Sequence, residues 1–150
     1  MDVQKVPPLQ LVTFPLPDLE LSGSSTGKYA YRIESNSPIT AYQFNPLDNV
    51  DVFSNDASLL LPENSLGTEY RVMTRGQSQE GHRGYLAVVA SEVGKTKILV
   101  EPTADVAQGA GAPAIEKGAS QEFILDQGEI LTLETASFGG DLTGTRIRAE

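Results

Sequence analysis

Asp48, Asp51 and Asp56 crowd one stretch with Asn45, Asn49 and Asn55. Side-chain oxygens grouped in this way are the ligands that calcium prefers. The spacing is not that of an EF-hand loop, whose sixth position needs glycine. The commoner fate of such a stretch is a solvated acidic loop, in which Asn45, Asp48, Asp51 and Asp56 are candidates for ligand contact. His82 and Arg83 follow Gly81 in a second polar loop, 76–84. No cysteine and no second histidine is present to join His82 in a metal site or a nucleophile–base pair. His82 and Arg83 are therefore read as loop residues that could touch a ligand.

Other echoes of catalytic motifs fail on context. Val93-Gly94-Lys95-Thr96 carries the last three residues of a phosphate-binding loop. The glycine required five positions before Gly94 is Val89, and the flanks read as strand–turn–strand. Asp141-Leu142-Thr143-Gly144-Thr145 is close to the Asp-Thr-Gly of aspartic proteases, but a leucine intervenes and no second copy exists. Asp141 is expected instead to cap a tight turn, its carboxylate accepting backbone N–H bonds. The chain is expected to be no enzyme and to need no cofactor, with weak calcium binding at Asp48, Asp51 and Asp56 the single exception.

The composition narrows the partners. Among 150 residues, 20 are Asp or Glu and 11 are Lys or Arg, a net charge of −9. Such a chain repels phosphate backbones, so no nucleic-acid partner is expected. No apolar run approaches the roughly 18–20 residues of a membrane span. The first residues, Met1-Asp2-Val3-Gln4-Lys5, lack the form of a signal peptide. That leaves a cytoplasmic chain or one whose export signal has been removed.

The elements that must hold these residues read as strands. Residues 1–27 are rich in proline and glycine and form an irregular lead-in, with an edge strand expected at Gln10–Phe14. Lys28–Glu34 alternates with period two, and Ile39–Phe44 is rich in β-formers, which predicts a hairpin. Ala57–Leu61 is a short apolar run, expected as a buried strand. Pro62–Gly67 has proline at the start and glycine at the exit of a single helical turn. Thr68–Arg75 alternates again. Tyr85–Ala90 is wholly apolar, so a central strand buried on both faces is expected, paired in a hairpin with Lys95–Glu101. The stretch 102–117 is low in large apolar residues and reads as a flexible loop. Gln121–Leu125 and Glu129–Glu134 are strands joined through Gly128, and Thr143–Ala149 is the last. The sum is an all-β chain of about nine short strands, an antiparallel β-sandwich of jelly-roll or Ig-like type, with a closed barrel as the alternative. Tyr29, Tyr31, Tyr42 and Tyr70 lie on strands. They are expected mainly in the core, although outward tyrosines could stack on sugars or anchor a protein interface.

Five blocks then add up in order. They are Tyr31–Pro46 (YRIESNSPITAYQFNP), Asn55–Pro62 followed by Leu66–Tyr70, Tyr85–Ala90, Phe123–Glu129 and Asp141–Thr145. Over about residues 29–148 the chain resembles the IgGFc-binding protein N-terminal domain family. The resemblance implies a β-rich module of the extracellular space or cell envelope. Its ligand would be a glycan or protein, met by loops 45–56, 76–84 and 102–117. It supplies no catalytic residues. The wording Tyr42–Asn49 resembles bacterial surface homologues. Family members run longer, in two related halves, and Arg146–Glu150 echoes Tyr31–Glu34. Residues 1–150 are therefore expected to be a single module, or the first half of a two-part domain. In the second case an open sheet edge would invite self-association, and a structural role in assembly is the alternative function.

Overall fold

The computed structural model describes residues 3–17, 19–45, 56–77 and 81–150. Its frame is a long antiparallel ribbon folded over on itself. One arm of the ribbon holds β5 (Tyr85–Val89) and β6 (Lys95–Glu101). The other holds β7 (Gln121–Asp126) and β8 (Ile130–Glu134). β5 pairs with β8, Ala87 opposite Thr132, and β6 pairs with β7, Ile98 opposite Phe123. Both arms bend at the same level. There Gly94 and Gly128 have φ of 95° and 77°, which residues with a Cβ rarely adopt. The bends are tied together, since Gln127 N donates to Gly94 O at 3.2 Å and Gly128 N to Ala90 O at 2.8 Å. The predicted hairpin of Tyr85–Ala90 with Lys95–Glu101 is thus not formed. Those two strands follow one another into different sheets, as at the corner of a sandwich.

The remaining strands complete two sheets. β1 (Ser25–Gly27) joins β8, giving the order β1-β8-β5. β4 (Glu69–Arg71) and β9 (Arg146–Ala149) extend the other, in the order β4-β9-β6-β7. The all-β expectation holds. Alternation puts Leu86, Leu131 and Leu133 of one sheet and Ile98, Val100, Phe123, Leu125 and Ile147 of the other into one core. Leu131 and Leu133 are fully buried. The outer face of the four-stranded sheet is charged and solvated. Lys97 Nζ lies 2.9 Å from Glu122 and 3.6 Å from Glu150. The hydrogen bond and charge of Glu122, then the charge of Glu150, hold the lysine above its usual pKa. Cross-strand pairs of this kind fix register more than they stabilise.

The lead-in is tied to the core at Gly23–Ser25. Thr132 is buried, and its hydroxyl accepts from Ser25 N at 3.1 Å and donates to Gly23 O at 2.9 Å. Ser24 Oγ accepts from Glu134 N at 3.0 Å. Gln10–Phe14 forms no strand. The stretch 102–117, read as flexible, is instead folded against this tie. Val106 and Ile115 exchange both backbone hydrogen bonds and are buried with Ala112. Gly109 lies so close to Ser24 that a Cβ would meet the Ser24 carbonyl. The stretch is poor in bulk because two backbones need to touch, not because it is mobile.

The first half contributes little to the core. Lys28–Glu34 forms no strand despite its alternation. The predicted hairpin is replaced by β2 (Tyr42–Asn45) paired with β3 (Asp56–Leu59), Asn45 opposite Asp56. Both strands are exposed, so the buried strand expected at Ala57–Leu61 is not found. A 3-10 turn, Glu63–Ser65, follows Pro62 as anticipated. The tyrosines are not core residues. Tyr29, Tyr31, Tyr42 and Tyr70 are 40%, 47%, 58% and 41% exposed.

Candidate functional site

Three segments meet beside the first residues of β5. Gly84 is the hinge of this arrangement. A Cβ there would lie 2.8 Å from Gly140 O and 3.3 Å from Arg75 O, so the chain entering β5 runs directly against two other backbones. Arg83, one residue earlier, is held by what Gly84 brings near. Its Nη1 donates to Thr135 O at 3.4 Å, and its guanidinium sits 5.4 Å from the centre of the exposed Phe138 ring.

The segment after β4 is fixed by a hydroxyl clamp. Asp141 Oδ1 accepts from Thr74 Oγ1 at 2.7 Å, from Thr143 N at 2.9 Å and from Thr143 Oγ1 at 2.7 Å. Thr74 Oγ1 in turn accepts from Leu142 N at 3.0 Å. The turn-capping role read for Asp141 is the one it performs. The clamp also does more than cap, because it pins Thr74 and so aims its neighbours Met73 and Arg75. The hydroxyl of Thr74, then those of Thr143 and its N–H, hold the Asp141 carboxyl below its usual pKa. A lowered folded pKa contributes stability above the unfolded value of 3.8, and that contribution is lost as pH falls through the folded value. Asp141→Asn is therefore expected to lower the thermal midpoint most near neutral pH. The gap to the parent protein should close as acid protonates Asp141. A gap that stays constant from neutral pH into strong acid would show that the charge plays no part.

Between these segments lies an open groove of about 610 Å³, lined by Asp56, Met73, Arg75, Gln77, Arg83 and Tyr85. A second cavity of about 460 Å³, which shares Val72 and Ala87 with the first, lies between the two sheets. Most of its lining is apolar, including Leu66, Tyr70, Val72, Val88, Ile98 and Ile147, beside the charged Glu63, Arg71 and Glu92. Met73 is 88% exposed and Tyr85 62%. Two arginines, an unbranched thioether and a phenol ring thus surround the entry to an apolar trough, in a chain of net negative charge.

Of the residues singled out in the sequence, Asp56 and Arg83 line this groove. Asn45 sits opposite Asp56 in the ladder, and His82 precedes Arg83. Asp48 and Asp51 lie outside the described residues. Asp56 Oδ1 accepts from Ala57 N at 2.8 Å. Among the described residues no three acidic or histidine side chains converge as a metal site. Sequence reasoning missed Met73 and Arg75. Their one signal was the outward positions of the alternating stretch Thr68–Arg75.

A comparison with known families settles the kinship. The family model described as IgGFc binding protein matches residues 56–150. The chain belongs to the IgGFc-binding family. The match begins at β3 and takes in the whole core, so the block Tyr31–Pro46 stands outside it. No curated protein and no solved structure matches the chain. Membership makes the chain a member of a family of binding domains. Among the described residues no helix is long and apolar enough to cross a membrane.

Proposed function

We propose that this member of the IgGFc-binding family is a non-enzymatic extracellular binding module that takes a protein ligand in the groove beside β5. The observation that carries the reading is the convergence of Asp56, Arg75, Arg83 and Tyr85, from three chain segments, on the mouth of one apolar trough. Arginine and tyrosine beside a partly desolvated apolar floor are the residue types that dominate protein–protein binding energy. The trough suits extended peptide better than a sugar, since its floor is aliphatic.

The test is binding of the labelled domain to arrays of glycoproteins and glycans, antibody Fc among them, with and without calcium. A saturable protein hit is expected. Arg75→Glu and Arg83→Glu should each weaken it at least about tenfold, ~1.4 kcal/mol. Capture by glycans alone, or a hit indifferent to both substitutions, would sink the groove reading. A calcium requirement would return attention to Asp48, Asp51 and Asp56.

A second reading has its own observation. β5 carries no charged residue, although it is the last strand of its sheet. Edges are normally blunted by charge. That favours a structural role in which modules associate through sheet edges.

A further inference from the structure

Gly84 O accepts from Thr135 N at 2.9 Å, and Ala90 N donates to Glu129 O at 3.1 Å. With Ala87 opposite Thr132, this phase turns the backbone groups of residues 84, 86, 88 and 90 toward β8. Those of Tyr85, Ala87 and Val89 point to the open edge, where they have no partner among the described residues. The other edges of the two packed sheets are protected. β4 bears Glu69 and Arg71, and β7 bears Glu122 and Asp126. β1 is covered by the 102–117 stretch, since Thr26 N donates to Ala110 O at 3.0 Å. Among the described residues β5 alone of these four edges is uncharged and has no backbone partner on its outer side.

We infer that a second copy of this chain covers it, β5 pairing antiparallel with β5 about a two-fold axis at Ala87. This rests on the assembly reading above and gives it an interface. The strand is self-complementary in that register. Ala87 meets Ala87, and Tyr85 meets Val89 twice, all through the free backbone groups. Val88 of each copy, only partly buried, then lies beside the apolar trough of the other. Two chains of net charge −9 thus meet along a strand that carries no charge of its own. The pairing is isologous and closes at two copies.

Ala87 is exposed on the outer face, so a longer side chain there displaces nothing within one copy. Sedimentation of the full chain should show a dimer. Ala87→Lys and Ala87→Glu should each be monomeric with unchanged circular dichroism. An equimolar mixture of the two should restore the dimer, because the register sets the residue opposite itself. The chain has no cysteine, so Ala87→Cys should cross-link to a covalent dimer on mild oxidation, and Glu150→Cys should not. A parent chain that sediments as a monomer at every accessible concentration overturns the inference. So does a dimer that survives both charge substitutions. Arg75→Glu, expected to weaken ligand capture, should leave the dimer intact. Capture without a dimer overturns the edge pairing and leaves the binding groove standing, and a dimer without capture does the reverse.

Discussion

Leu133→Ala is expected to lower the free energy of unfolding by about 3 kcal/mol. Leu133 sits on β8, between β1 and β5, with no exposed surface. Its neighbours in the core come from both sheets. They cannot collapse into the space left by the lost atoms without moving a strand. The cost therefore combines lost transfer energy with a residual cavity. Total stabilities of single domains are about 5–15 kcal/mol, so this one change removes a large share. The measurement is urea unfolding, with a lower midpoint at unchanged slope. Ile124→Ala on the outer face of β7, 58% exposed, is the control and should cost no more than about 0.5 kcal/mol. Equal effects for the two variants would mean that the sheets do not share a core.

Gly109→Ala is expected to be the more damaging of two outwardly similar changes. The backbone of Gly109 needs no positive φ, so alanine is allowed there on conformational grounds. The obstacle is the Ser24 carbonyl, which is backbone and cannot swing aside. Relief requires that the 102–117 stretch or the Gly23–Ser25 tie move away, at a cost of about 1–3 kcal/mol. Gly118 is the converse. It has φ of 77° and open space around its Cβ position, so alanine there meets conformational strain alone, about 1 kcal/mol. Denaturant midpoints should rank Gly109→Ala below Gly118→Ala. Limited proteolysis should in addition cut residues 3–24 faster in the first variant. Equal proteolysis would contradict the close packing of Gly109 on Ser24.

The strands that the sequence made legible are those whose alternation meets an opposing sheet. Lys95–Glu101 and Gln121–Asp126 alternate, and the structure buries one face of each. The glycine that ends the second of them is left-handed as its position required. Lys28–Glu34 alternates equally well, but period two describes a face and says nothing of a partner. Tyr29, Tyr31 and Ile33 find none, and Tyr31 instead donates its hydroxyl to Pro17 O at 2.7 Å. The unbroken apolar run Tyr85–Val89 suggested burial on both sides. Half of it faces the core and half faces outward from an edge, and an uncovered edge has the same composition as a buried centre. The candidate site was legible where polar residues flank strands, as at Asp56 and Arg83. Met73 and Arg75 were hidden because their position depends on Asp141, distant in sequence, gripping Thr74.

β1 is a three-residue strand at the margin of its sheet, whereas β9 lies between two neighbours. Tension applied along the chain therefore finds unequal resistance at its two ends. The N-terminal side can peel away one short ladder at a time, first β1, then the β2–β3 pair and then β4. Drawing out β9 demands the simultaneous rupture of ladders on both flanks. The molecule is in this sense a spring with a soft end and a stiff end. The folded ribbon behind the groove stays whole while these short ladders open.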